Sequence, residues 1–101
     1  MTEVKKEFSE QLANIRLSID KIDESIVELL KQRSECVKQI AIIKCSSGQA
    51  IYDQSREATI LDNIVKNNPT NYQSVDLANI FHAILRAGLN QQLLFRSELK
   101  D

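Results

Sequence analysis

The sequence predicts an all-α domain of three helices, long, short and long, on three observations. Its 101 residues hold only 2 Gly and 1 Pro. So few chain breakers leave room for about two interruptions and favour a few long helices over many strands. Leu12, Ile15, Ile19, Ile22, Ile26 and Leu29 recur in steps of three and four, as do Cys36, Ile40 and Ile43, which is the spacing of one helix face packed on other helices. The step that joins the two runs falls on Arg33. A guanidinium there keeps its charge and needs an anionic partner away from water.

The first helix is expected from about Gln11 or earlier to Lys44, with residues 1–10 polar and open to fraying. Cys45-Ser-Ser-Gly48 supplies its stop, with Gly48 as the left-handed residue near the helix end. Cys36 reads as a small core residue. Asp53 reads as the N-cap of a second helix whose apolar face is Ile60, Leu61, Ile64 and Val65. Asn67-Asn68-Pro69 ends it. Ser74 is the expected cap of a third helix, whose seam of Leu77, Phe81, Ile84 and Leu85 continues to Phe95 and Leu99. The chain reads as a single domain over residues 1–101.

The length of the first helix bears on assembly. Some thirty-four residues make a rod of roughly 50 Å, whereas a compact chain of this size has a radius of gyration of only ~13 Å. The rod overhangs its own domain with an apolar seam along its whole length. A second copy covering that overhang gives an interlocked homodimer; a kinked first helix in a monomeric three-helix bundle is the other solution.

Thirteen basic and fourteen acidic residues are mixed along the chain without a Lys/Arg block, which argues against nucleic acid as a partner. The opening segment has no signal-peptide core, and no apolar run approaches the ~18 residues a membrane span needs. Cys36 and Cys45 stand alone, which suggests neither a zinc site nor a disulfide framework. A soluble, reducing, cytoplasmic setting is the expectation. His82, the only histidine, has no ligand pattern round it and reads as structural or surface. There is no glycine-rich phosphate loop and no nucleophile elbow. Any catalysis would act by binding, positioning and charge stabilisation.

Several polar residues are left over from the packing pattern. Lys44 follows Arg33 by eleven residues, almost three whole turns, so both point to the same side roughly 16 Å apart and could grip one small dianion. Arg16 lies roughly 25 Å from Arg33 along the same helix. It reaches such a site only in a dimer with antiparallel first helices, and is otherwise an exposed arginine. Asp53, Arg56 and Glu57 open helix two, either as a cap with first-turn polar residues or as part of a site. Gly88 and Gln92 keep to the apolar face of helix three. Glycine inside a helix costs about 1 kcal/mol relative to alanine, which suggests close approach of a neighbour or ligand. An inward Gln is otherwise a satisfied core polar group.

The order Arg16, Arg33, Lys44, Asp53-x-x-Arg56-Glu57, Gln92 on a long–short–long helix plan resembles the all-helical (type II) chorismate mutases. The resemblance covers about residues 11–98. Its most specific segments are Leu12-x-x-Ile15-Arg16-x-x-Ile19-Asp20-x-Ile22-Asp23, Leu29-Leu30-x-x-Arg33 and the Asp53–Glu57 run. It implies an intertwined homodimer that converts chorismate to prephenate on the route to phenylalanine and tyrosine, without cofactor or metal. Arg33 and the Arg16 contributed across the interface would clamp the two carboxylates. Lys44 would contact a carboxylate and donate to the ether oxygen, with Gln92 donating from the opposite side. Glu57 and the Asp53 backbone amide would hold the ring hydroxyl, and Arg56 would shape the electropositive wall. Ile40 and Leu85 would touch the ring. Gly88 stands where several relatives carry a serine. The neighbouring Gln91 leaves the helix-three register open by one residue, although Gln92 fits the seam better. Two other readings are an isochorismate-pyruvate lyase of the same fold and a non-enzymatic helical module that packs or senses chorismate. The intact Asp53–Glu57 run favours the mutase.

Overall fold

The computed structural model describes residues 2–99. Three helices follow one another: α1 over Thr2–Ser47, α2 over Gln54–Lys66 and α3 over Ser74–Leu99, with no strand among the described residues. The chain forms two compact units that meet at the Arg33–Ser34 peptide.

The first unit is the leading part of α1. Helix starts at Thr2, the earlier of the starts the sequence leaves open, because Val4 and Phe8 carry the apolar spacing back from Leu12 and Glu3 lies in the first turn, where a negative charge meets the positive helix end. Leu12, Ile15, Ile19, Ile22, Ile26 and Leu29 are between 47% and 62% exposed.

The second unit holds the core. Val37, Ala41, Ile51, Leu77 and Leu85 are its buried apolar side chains. On this part of α1 the inward face is Val37, Ala41 and Lys44, one position on from the expected Cys36, Ile40 and Ile43. A one-residue step turns about 100° round a helix, so the seam that runs through Cys36 stays outside. Cys36 is exposed and is not a core residue. Ile40 and Ile43 are likewise exposed.

Two different devices stop the helices. Gly48 adopts φ 72° and the Gln49 N–H reaches back to the Lys44 carbonyl at 3.0 Å, the closure made by a left-handed residue just past a helix end. After α2, Asn68 organises the turn. Its Oδ1 accepts from the Thr70 N–H at 2.9 Å and its Nδ2 donates to the Tyr72 carbonyl at 2.8 Å. The chain then returns so that α3 packs on α2. The Gln73 carbonyl takes the first hydrogen bonds of α3, so Ser74 is the first helical residue and not the cap. Helix α2 turns Ile60, Leu61, Ile64 and Val65 half inward, as expected. On α3 the inward face runs Leu77, Phe81, Ile84, Leu85, Gly88, Gln92 and Phe95, while Leu99 is 60% exposed and lies beyond it.

A Cβ on Gly48 would meet nothing within 4 Å, so the penalty for placing a side chain there is purely conformational. Gly48→Ala is expected to lose about 1 kcal/mol, read as a lower denaturant midpoint at unchanged slope. An unchanged midpoint would mean that the turn does not depend on the left-handed residue.

Candidate active site

Lys44 lies where α1 ends, and both ends of the residue are used. Its carbonyl accepts from Gln49, and its half-buried side chain folds over the loop so that Nζ donates to the Ile51 carbonyl at 2.8 Å. Ile51 is the one buried residue of that otherwise exposed connection, at 4% exposure. Two residues later Asp53 caps α2 from extended backbone at φ −128° and ψ 93°. Its Oδ1 accepts from the Arg56 N–H at 3.0 Å, and its carbonyl accepts from the Glu57 N–H at 3.1 Å. Arg56 is exposed. Glu57 is half-buried, one turn before Ile60 and Leu61 on the inward face of α2.

A carboxylate in the first turn of a helix is stabilised by the unpaired N–H groups there. A lysine and a carboxylate are thereby brought to one short stretch of chain: cation from the end of α1, cap and inward carboxylate from the start of α2.

Helix α3 supplies the second group. Gly88 is buried. Gln92 follows it by one turn, and its Nε2 donates to the Gly88 carbonyl across a long 3.5 Å. Gln92 Oε1 is buried and has no hydrogen-bond partner, a condition that native interiors seldom tolerate without cause. Gln91 behaves differently. Its Nε2 donates to the Ser34 carbonyl at 2.8 Å, fastening α3 to α1. Of the two adjacent glutamines, one is committed to the backbone and the other keeps amide capacity in reserve.

Arg16 and Arg33 are both on α1, Arg16 fully exposed and Arg33 half-buried. Among the described residues, neither is seen in a salt bridge. Hydrogen bonds among the described residues join Lys44 to the loop before α2, Asp53 to the start of α2, and Gln92 to Gly88. His82 is exposed, and among the described residues no group of three or more His, Cys, Asp or Glu could hold a metal ion. The sequence reading overlooked Ile51 and the Gln91 tie. An isolated aliphatic residue in a polar connection was the available signal for the first. For the second there was none, because its acceptor is main chain.

The family model described as chorismate mutase type II matches residues 15–93. The chain belongs to the type II chorismate mutases. The matched range contains all eight residues from Arg16 to Gln92 considered above. Among curated relatives, the bifunctional chorismate mutase/prephenate dehydratase of Pseudomonas aeruginosa is 32% identical over 85 residues, covering 79% of this chain and 23% of that protein. The corresponding bifunctional protein of Aquifex aeolicus is 34% identical over 85 residues, covering 80% of this chain and 24% of that protein. The chorismate mutase of Methanocaldococcus jannaschii is 44% identical over 57 residues, covering 56% of this chain and 58% of that protein. The chain thus spans about a quarter of the length of the bifunctional relatives it matches.

The unpartnered Gln92 oxygen makes a prediction that does not depend on any substrate. Gln92→Met fills a similar volume and removes a buried acceptor whose desolvation is uncompensated, at the cost of one long hydrogen bond. A gain of about 1 kcal/mol in unfolding free energy is expected. A loss of stability would mean that the oxygen is satisfied by water or by another chain.

Proposed function

We propose that this protein is a chorismate mutase that rearranges chorismate to prephenate for the synthesis of phenylalanine and tyrosine. The family match over residues 15–93 carries the proposal. The rearrangement breaks one C–O bond and forms one C–C bond in a single concerted step, so it calls for no nucleophile and no general base. Catalysis consists in holding a flexible dicarboxylate in its reactive shape and stabilising the charge that builds on the ether oxygen. Arginines suit the first task because their planar fork meets a carboxylate bidentately; Arg33 and Arg16 of the partner subunit fill that role. Lys44 and Gln92 take the second, as donors to the ether oxygen. The half-buried Gln92 supports this choice over Gln91, because its Nε2 makes only one long bond, at 3.5 Å, and keeps an N–H to donate, whereas the Gln91 Nε2 is engaged at 2.8 Å. The ring hydroxyl is held by Glu57 and the Asp53 amide, Arg56 adds positive potential, and Gly88 lines the site without a side chain of its own.

The working form is an intertwined homodimer. Support comes from the seam of α1, which stays open to water from Leu12 to Leu29 within one chain. An isolated amphipathic helix draws most of its stability from packing of its apolar face, and a contiguous exposed face of this kind marks an interaction surface. A self-complementary pairing through a two-fold axis covers two such faces at once. The setting is cytoplasmic, in keeping with two free cysteines; no described helix is long and apolar enough to cross a membrane.

The direct test follows the loss of chorismate absorbance in the ultraviolet and identifies the product. Prephenate is expected, whereas turnover of isochorismate in place of chorismate would overturn the assignment. Shared sites make a further prediction. Arg16→Ala and Lys44→Ala chains, each inactive, should regain activity when refolded together, because a heterodimer rebuilds one intact site. No recovery in verified heterodimers would confine the site to one chain. Gln92→Glu tests the donor at the ether oxygen. An amide donates at any ordinary pH, but a carboxyl only while protonated. Activity of the variant should fall as pH rises through the pKa of the introduced carboxyl, so its optimum moves to acid. A pH–rate profile identical to that of wild type would remove Gln92 from the role.

A further inference from the structure

Lys44 is the proposed charge-stabilising donor, yet it sits at a helix end on a four-carbon stem, where a lysine ordinarily samples many rotamers. Three observations show how it is restrained. The Lys44 carbonyl is closed by the Gln49 N–H through the left-handed Gly48, which fixes where the loop departs. Asp53 fixes where it ends, as the cap of α2. Between them Ile51 is driven to 4% exposure, and its carbonyl receives the Lys44 ammonium at 2.8 Å. An ammonium has three N–H donors, so one is spent on the carbonyl and two remain for a substrate.

From this we infer that Ile51 is a positioning residue for Lys44. Its buried side chain holds the loop, and its main-chain oxygen fixes the ammonium before substrate arrives. The side chain takes no part in chemistry and touches no reacting atom. Its work is to remove the rotamer freedom that Lys44 would otherwise lose on reaching the transition state. The positioning itself is a property of the folded chain; its catalytic meaning rests on the mutase reading given above.

The test alters the oxygen while leaving the side chain in place. Replacing Tyr52 by its α-hydroxy acid turns the Ile51–Tyr52 amide into an ester, whose carbonyl is a weaker acceptor. In the full-length protein labelled with ¹⁵N on lysine, the Lys44 ammonium signal is assigned by its loss in Lys44→Met. The wild-type signal should be protected from solvent exchange relative to the exposed lysines, and the ester should lose that protection several-fold. Chorismate turnover by the ester should fall about tenfold, the scale of one charge-assisted hydrogen bond. Ile51→Val should stay near wild type, and Ile51→Ala should resemble the ester, the latter two read per folded molecule. A role confined to packing would lower stability while leaving both ammonium protection and turnover per folded molecule unchanged, and that result overturns the inference. The ammonium signal reports on the tie and wild-type turnover of chorismate reports on the mutase reading, so each can fail without the other.

Discussion

Helix α1 carries more apolar surface than one chain covers, and the rest of the molecule is arranged round that constraint. Its second stretch turns Val37 and Ala41 into a core shared with Ile51, Leu77 and Leu85. Its first stretch keeps a seam of Ile and Leu in water. At roughly 25 cal/mol for each Å² of apolar area removed from water, covering six such side chains is worth more than any polar contact in the protein. Assembly and activity are thereby linked in the proposed dimer. Arg16, which the proposed dimer uses across its interface, lies on the same exposed stretch of α1, beside that seam.

Polar groups near the proposed site fall into two kinds. Those at the end of α1 and the start of α2 are anchored: the Lys44 ammonium through one of its three N–H groups to a carbonyl, the Asp53 carboxylate by a backbone N–H. Gln92 is not, since its oxygen is buried without a partner and its nitrogen makes one long bond. A packing module would gain by replacing it with a hydrocarbon. Retaining it makes sense where a ligand completes the hydrogen bonds, because groups set in place before the ligand arrives need no reorganisation when charge develops. Stability is given up through the oxygen of a residue whose amide nitrogen, with one long bond, keeps an N–H for the proposed chemistry.

Much of this was legible in the sequence, and the physical reasons are specific. Asp53 announced the start of α2, because a carboxylate before an apolar-periodic run has few other uses, and Gly48 announced the end of α1. Helix type and order followed from the three- and four-residue spacing. The inward face of α1 beyond Arg33 did not follow. Cys36, Ile40, Ile43 and Val37, Ala41 are adjacent apolar stripes, and periodicity alone does not say which of two such stripes meets its own chain. The start of α1 stays open in the sequence because Val4 and Phe8 stand among charged neighbours that resemble a frayed end. The glutamine register became clear only with the hydrogen bonds of Gln91 and Gln92 in view.

The Gln91 tie is asymmetric. Its donor is a side chain and its acceptor is the main-chain oxygen of Ser34. All twenty amino acids present that oxygen, so position 34 can change its side chain and still receive the bond, provided that α1 stays helical. Position 91 has no such freedom, since few side chains combine an N–H with that reach. As far as this one bond is concerned, the constraint on the two positions is therefore unequal, and comparison of covarying positions would pass over the pair.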